Sequence, residues 1–532
     1  MGISLIFVAL ACALPLQSGV DSQPSSARKK NADTLVMCPA PLRDALQPWI
    51  EYRIKQGHKI LVKAPASTAL GLRKQIQAVA AKHEIKNVVL VGDAVDQNVK
   101  PTHLVPTDYV QAKVNVKFGS EPEIATDHTY ADLDDDGMVD VAIGRIPVDS
   151  PLQLKQFTQR VIEHESNSKS GPWRRRVNFV AGVGGFGGML DKMIEQSVKK
   201  IVTDLIPPEF DTTMTYGSWR SPYCPDPRRF SATAIERFNE GCLFWVYIGH
   251  GERRGLDYIN MPDRRYKILD HNNADQISST SGSPIAICLS CYTAAIDSKD
   301  DGLGENLINQ PDGPVGVISA TRVSMPYAMS LFSLELLNGY FEGETETLGQ
   351  LVLQAKQKMV EKPDAKSEYH KLIGSLGLAF SPEPGLLNDE RGEHVHLMHL
   401  LGDPLLRLPR PMKLKLNSPP TAKRGDKITI KGQAPSDGSL LLDLSYRRNR
   451  FRHRPPRRTK YSNNDEALNE FQTVYERTQN LVCTVRKIEV QPGPFEFELT
   501  VPEDCSGACF VRGMLVAKDD VFLGANEIEI KK

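Results

Sequence analysis

Apolar positions along this chain follow two alternating rhythms. Short unbroken apolar runs near residues 34–38, 59–63, 88–91 and 139–143 alternate with longer stretches, 41–55, 67–83 and 151–166, whose apolar residues recur every three or four positions. The runs predict strands buried on both faces, and the longer stretches predict the amphipathic helices that cover them. A second alternation follows, with strands expected at 176–181, 211–216, 242–248, 284–289 and 315–320 and helices at 190–205, 232–239, 302–309, 331–341 and 347–361. After Pro411 the pattern shortens to strand-like runs at 427–431, 439–446, 483–490, 495–501 and 509–517, split by Gly, Pro and Asp turns, with helical periodicity nearly absent. The reading is an α/β protein with parallel sheets: an N-terminal α/β subdomain (33–168), a second α/β domain (169–410) and an immunoglobulin-like β-sandwich (411–532).

The first 20 residues differ from the rest. Residues 3–16 are almost wholly apolar, a length that suits a signal-peptide core and is short for a membrane span. No Lys or Arg precedes Arg28, so the basic flank of a signal is missing, and Ala11-Cys12 hints at a lipoprotein cleavage site. Residues 1–20 are read as a signal peptide and 21–32 as a polar, disordered linker. Export to the periplasm, cell surface or medium is expected, with no later transmembrane span. Lys plus Arg (65) equals Asp plus Glu (65), so net charge gives no reason to expect a nucleic-acid partner. Among the nine cysteines, Cys38, Cys242 and Cys288 sit inside apolar runs and are expected to pack as small hydrophobes. Cys483, Cys505 and Cys509 cluster, and one disulfide is plausible there in an exported protein.

Two apolar runs end abruptly in reactive side chains: Cys242 to Ile248, followed by Gly249-His250-Gly251, and Pro284 to Leu289, followed by Ser290-Cys291. Open α/β sheets place chemistry beyond the carboxyl ends of their strands, so adjacent strands would deliver His250 and Cys291 to one rim. An imidazole beside a thiol activates it, because the thiolate is the nucleophile. Gly251 after the His suits an oxyanion site, its bare backbone N–H free to approach a carbonyl, with the Cys291 N–H as second donor. The rival reading is a surface His and an inert Cys.

These motifs carry a resemblance. Tyr247-Ile248-Gly249-His250-Gly251 and Leu289-Ser290-Cys291 are similar to the strand ends of the gingipain-type cysteine peptidases, whose catalytic fold is caspase-like. Gly304-Glu305-Asn306-Leu307, the run 316–321, Gly402-Asp403-Pro404, and upstream Leu35 to Pro39 and Val89 to Asp93 resemble the same family, over about residues 33–410. The resemblance implies a caspase-like catalytic domain and a Cys–His endopeptidase with His250 as base and Cys291 as nucleophile. It needs no cofactor for the chemistry, and its substrate is a protein or peptide. It also implies that the segment Arg322 to Met329 lines the substrate pocket, with Met325 and Tyr327 as candidates. In family members an acid follows the first catalytic strand; here that turn, Ala181 to Gly185, has no carboxylate, and Asp191 is the nearest acid.

Four further motifs remain. Asp132, Asp134, Asp136 and Asp140, with Gly137 for the turn, present oxygen ligands at alternating positions and suit a structural Ca²⁺; the alternative is an acidic turn. Gly182, Gly184 and Gly187 match a dinucleotide fingerprint without the acid it wants at the next strand's end, and read better as a tight turn. His394 and His396 are expected on one face of a strand edge leading into the core rather than as metal ligands. The basic run from Arg447 to Lys460 reads as an exposed loop, either a binder of anionic surface polymer or a solvated, cleavable segment. Competing functions stay open: a sorting peptidase or transpeptidase acting on exported proteins, a decayed calcium-stabilised adhesion protein associated with the cell surface, or a nucleotide-binding oxidoreductase.

Overall fold

The computed structural model describes residues 32–94, 101–166, 171–183, 195–196, 199–200, 202–361, 367–381, 383–518 and 520–531. Ten strands form one sheet: β1 (Thr34–Met37), β2 (Ile60–Lys63), β3 (Asn87–Val91), β4 (Ala142–Ile146), β5 (Arg176–Ala181), β6 (Asp211–Tyr216), β7 (Phe244–Ile248), β8 (Ile285–Leu289), β9 (Gly316–Ala320) and β10 (Met398–Gly402). Their order is β2-β1-β3-β4-β10-β9-β8-β7-β5-β6. Every neighbouring pair is parallel except β9 with β10, where Gly316 opposes Gly402 and Ala320 opposes Met398. The two expected α/β parts therefore share a single sheet in which β1–β4 and β10 run one way and β5–β9 the other, so the carboxyl ends of the two sets lie at opposite edges.

Both faces of this sheet are covered, as the unbroken apolar runs required. Val36, Val89 and Val91 pack with Trp49 of α1 (Arg43–Lys55) and Phe157 of α3 (Pro151–Glu165). The alternate residues Leu35, Met37, Val88 and Leu90 pack with Leu72 and Ile76 of α2 (Ala69–Ala80). Successive side chains on a strand point to opposite faces, which splits one run between two cores. Helix starts follow side-chain caps: Thr68 Oγ1 accepts from the Gly71 amide and Ser150 Oγ from Gln153. A buried network ties the end of β10 to the helices over β1–β4: Arg53 pairs with Glu165 at 2.8 Å and Asp403 at 2.5 Å, and Trp49 Nε1 donates to Asp403.

The second half carries α4 (Phe230–Asn239), α5 (Leu303–Ile308), α6 (Pro326–Phe341), α7 (Leu348–Val360), α8 (Glu368–Phe380) and α9 (Leu387–Leu397). Two boundaries differ from expectation. Helix α6 begins five residues early, at Pro326, because proline is preorganised for the first helical position. His394 and His396 lie in α9 rather than on a strand: the acids Asp389 and Glu390 open a helix whose buried face includes Glu390, Arg391, His394 and Leu397. The expected helix 190–205 falls largely outside the described residues.

The C-terminal region is β-rich. Strands β11 (Lys427–Ala434), β12 (Gly438–Tyr446), β13 (Val482–Val490), β14 (Gly493–Thr500), β15 (Gly507–Val516) and β16 (Val521–Lys531) fall into a β16-β15-β12-β13 sheet and a sheet pairing β11 with β14. Ile430 and Leu499 of one sheet share a core with Leu440, Leu442 and Leu515 of the other. Helical periodicity is not absent here: α10 (Asp465–Gln479) lies between β12 and β13, with Leu468, Phe471, Val474 and Tyr475 buried at helical spacing. The basic run 447–460 is mostly exposed, as expected, but two of its arginines dock on the α/β region. Arg448 donates to the carbonyls of Pro207 and Phe210 at 2.5 and 2.6 Å, and Arg458 donates to that of Ser221 at 2.5 Å. Among the described residues, no helix is long and apolar enough to cross a membrane.

Candidate active site

Strands β7 and β8 pair in parallel with Phe244 opposite Ile285 and Ile248 opposite Leu289. His250 and Cys291 each stand two residues beyond that last pair, so the strands present them side by side at one edge. Both line the same cavity, of about 440 Å³. The two exits are bonded together: the Gly249 amide donates to the Leu289 carbonyl at 3.3 Å. Tyr247 Oη donates to the His250 carbonyl at 2.7 Å, fixing the backbone that carries the exposed imidazole. A Cβ on Gly251 would stand 2.5 Å from the Cys291 carbonyl oxygen and 2.8 Å from Ser290 Cβ, a space only glycine fits.

Cys291 is half-buried, and the Ser324 amide donates to its Sγ at 3.3 Å. The residue after it, Tyr292, has φ of +56°, a left-handed conformation costly for a bulky side chain. The surroundings hold it there. Its amide donates to the Arg322 carbonyl at 3.2 Å, its hydroxyl to Glu121 at 2.8 Å, and Arg253 lies 4.5 Å over its ring while pairing with Glu121. Burial pushes the thiols of Cys38, Cys224 and Cys288 up to about 12 and that of Cys242 higher still, so none of these supplies a thiolate near neutral pH.

A comparison of the whole sequence decides what this arrangement belongs to: the model of Peptidase family C25 matches residues 27–409. The chain belongs to peptidase family C25. Its enzymes are cysteine peptidases, and the substrate class is protein or peptide. The fold agrees. The crystal structure of the Arg-specific cysteine proteinase gingipain R (RGPB) aligns with a TM-score of 0.53 at 14% identity, covering 95% of this chain and 99% of that one. The complex of Porphyromonas gingivalis RgpB pro- and mature domains aligns with a TM-score of 0.53 at 15% identity, over 94% and 100% of the two chains. At these identities the likeness is one of fold, a caspase-like α/β sheet. No curated protein sequence matches the chain.

Within this C25 site the other expected residues separate. Met325 lines the cavity, and its amide donates to His394 Nε2 at 2.7 Å. His394 in turn makes a 2.7 Å bond through Nδ1 to the Glu390 carbonyl, which fixes the neutral tautomer; burial pulls it down to about 4. The histidine pair thus divides its work: His394 anchors the cavity wall, and the His396 ring lies tilted against that of His128, centroids 4.3 Å apart. Tyr327 lies off the cavity, its ring against Gly377 of α8. The described lining is otherwise mainly apolar, with Phe118, Phe179, Met214 and Met329; its two described opposite charges, Glu195 and Lys199, pair with each other at 2.5 Å. Asp191, Gly184 and Gly187 lie outside the described residues. Nothing in the sequence pointed to Tyr292 or Glu121; Ser324 fell within the segment expected to line the pocket and does line the cavity.

The acidic loop is only partly gathered. Carboxylate oxygens of Asp132, Asp134 and Asp136 converge within 4.8 Å of one another. Asp140 Oδ2 instead accepts from the Leu133 amide at 2.7 Å and closes the loop on itself. Asp135 and Gly137 take left-handed φ of +65° and +90°, the sharp turn a ligand loop needs. Asp132 Oδ1 is buried without a hydrogen-bond partner, an orphaned anionic oxygen that a cation would satisfy.

Proposed function

We propose that this chain is an exported cysteine endopeptidase in which Cys291 is the nucleophile and His250 the general base. The supporting observation is the parallel register of β7 and β8, which brings both side chains to one cavity. His250 takes the thiol proton, and the Cys291 sulfur attacks the scissile carbonyl carbon. The Gly251 and Cys291 amides hold the resulting oxyanion. His250 then gives its proton to the amine nitrogen, the C–N bond breaks, and a thioester remains. Water, deprotonated by His250, attacks that thioester; the C–S bond breaks, and the carboxylate product leaves. The apolar lining around Met325 and Met329 favours a bulky apolar side chain before the scissile bond, since the lone acid of the described lining is already paired with Lys199.

Asp132, Asp134 and Asp136 fit a structural Ca²⁺, with Asp140 shaping the loop. That ion takes no part in the chemistry. The apolar leader at residues 3–16 supports export.

The experiment is labelling with a fluorescent iodoacetamide beside a panel of peptide substrates, on the wild type and on Cys291→Ala and His250→Ala. Rapid labelling lost in Cys291→Ala, with peptide turnover lost in both variants, is expected. Equal labelling of wild type and Cys291→Ala would overturn the assignment.

A further inference from the structure

Far from the cavity, three cysteine sulfurs converge in the β-rich region. Cys483 Sγ lies 3.0 Å from Cys505 Sγ, Cys505 Sγ lies 3.7 Å from Cys509 Sγ, and all three fall within 4.8 Å of one another. Each arrives by a different route. Thr484 opposes Leu444 and Val482 opposes Ser445, so Cys483 is the extra residue of a β-bulge and has no cross-strand partner. Bulges re-aim a side chain, here inward. Cys509 sits in the ladder opposite Tyr446, and Cys505 lies in the turn before β15. That turn is held from both sides: Tyr446 Oη accepts from the Ser506 amide at 3.0 Å, and Arg424 Nε donates to the Cys505 carbonyl at 3.1 Å.

Guanidinium groups lie close by, alongside the carboxylates of Asp504 and Glu529. Arg452 bonds the Val482 carbonyl at 2.7 Å and Asp504 at 2.8 Å, and the Arg450 guanidinium occupies the space beside Gly507 where a Cβ would point. With Arg424, these guanidinium groups complement an anionic cluster. Any one disulfide among three sulfurs leaves the third thiol in contact with it and unmatched. A single soft ion uses all three. At a metal–sulfur distance of about 2.3 Å, trigonal or tetrahedral thiolates lie about 3.8–4.0 Å apart. The 3.7 Å pair already meets that spacing, and the 3.0 Å pair reaches it by a shift of half-buried Cys483.

We propose that Cys483, Cys505 and Cys509 form a binding site for one thiophilic d¹⁰ ion, Zn²⁺ or Cu⁺. Soft thiolate sets select these ions. Binding forms three metal–sulfur bonds, and the three thiol protons pass to solvent. The role is structural. Cys483 begins β13, immediately after the segment 447–481 that docks on the sheet through Arg448 and through Tyr475 Oη, 2.8 Å from Thr215 Oγ1. An ion here ties the root of that segment to the turn at 505.

The test uses the full chain, reduced and desalted under argon. It is titrated with Zn²⁺ against a chromogenic zinc indicator and, in a second arm, with Cu⁺ against a bathocuproine chelator. One ion per chain is expected in one arm, with three fewer thiols reacting with Ellman's reagent after loading. Cys483→Ser and Cys509→Ser should each weaken uptake by more than about 100-fold, beyond what loss of an outer-shell partner gives. Cys483 is half-buried, so its variant should fold, as circular dichroism will check. Uptake unchanged in folded Cys483→Ser overturns the proposal. So does a Cys483–Cys505 or Cys505–Cys509 disulfide in the protein as secreted, found by non-reducing peptide mapping.

Discussion

Gly251 packs its Cα against the carbonyl of Cys291, leaving only 2.5 Å between that oxygen and any methyl group placed at position 251. The loop bearing the proposed base and the loop bearing the proposed nucleophile are thus in backbone contact, and a side chain would wedge them apart. Gly251→Ala should lower kcat/KM for a peptide substrate by about 100–1000-fold, the range for loss of an oxyanion donor. Iodoacetamide labelling of Cys291 should persist, since the thiol itself is untouched. A variant with wild-type turnover would remove Gly251 from the site.

Much of that geometry was legible in the sequence. A parallel strand buried on both faces is an unbroken apolar run, so 244–248 and 285–289 announced themselves, and the residues just beyond them had to sit at a sheet edge. The single sheet was less visible, because nothing local says that β10 will run antiparallel to β9 and join the halves. Ser324 and Glu121 reach Cys291 and Tyr292 from 33 and 171 residues away, and such tertiary contacts leave no periodic trace. Alternation at His394 and His396 imitated a strand, while the helix was set by burial of Glu390, Arg391, His394 and Leu397 together. Tyr327 was expected beside Met325, but a helix starting at Pro326 turns consecutive residues about 100° apart.

Calcium should act on stability and leave the chemistry alone. Arg73 pairs with Asp135 at 2.6 Å and reaches Asp132 at 3.4 Å, which neutralises the loop only in part. Saturation at 100 times the dissociation constant would add about 2.7 kcal/mol. Differential scanning fluorimetry should show a lower Tm in EDTA, restored by Ca²⁺ and insensitive to it in Asp134→Asn with Asp136→Asn. An unchanged Tm in EDTA would reduce the loop to an acidic turn.

Burial pulls His394, His396 and His399 down to about 4, against about 6.5 in an unfolded chain. Between those values the unfolded chain binds protons that the folded one refuses. Stability therefore rises with pH across this window, is lost as pH falls from 6.5 toward 4, and levels off below. Glu390, raised to about 7 by burial, works in the opposite direction. The difference between wild type and His394→Gln isolates one histidine: the variant's urea stability should be less pH-dependent over this window, by up to about 1.4 kcal/mol per unit. Parallel curves would mean that His394 is not held neutral.

Asp403 is fully buried and accepts from both Arg53 and Trp49 at 2.5 Å. The contact joins the motif at the end of β10 to helix α1 of the N-terminal part, across about 350 residues of chain. Removing the carboxylate strands a buried guanidinium beside Glu165 alone, so Asp403→Ala should cost about 3–5 kcal/mol in urea unfolding. Asp403→Asn keeps an acceptor for Trp49 and should cost less. If the loss lies in the stranded charge, removing both charges with Asp403→Leu and Arg53→Met together should recover most of the stability. The deciding comparison is that double variant against Asp403→Ala: equal instability would mean that the polar contact itself, and not the stranded charge, holds β10 to α1.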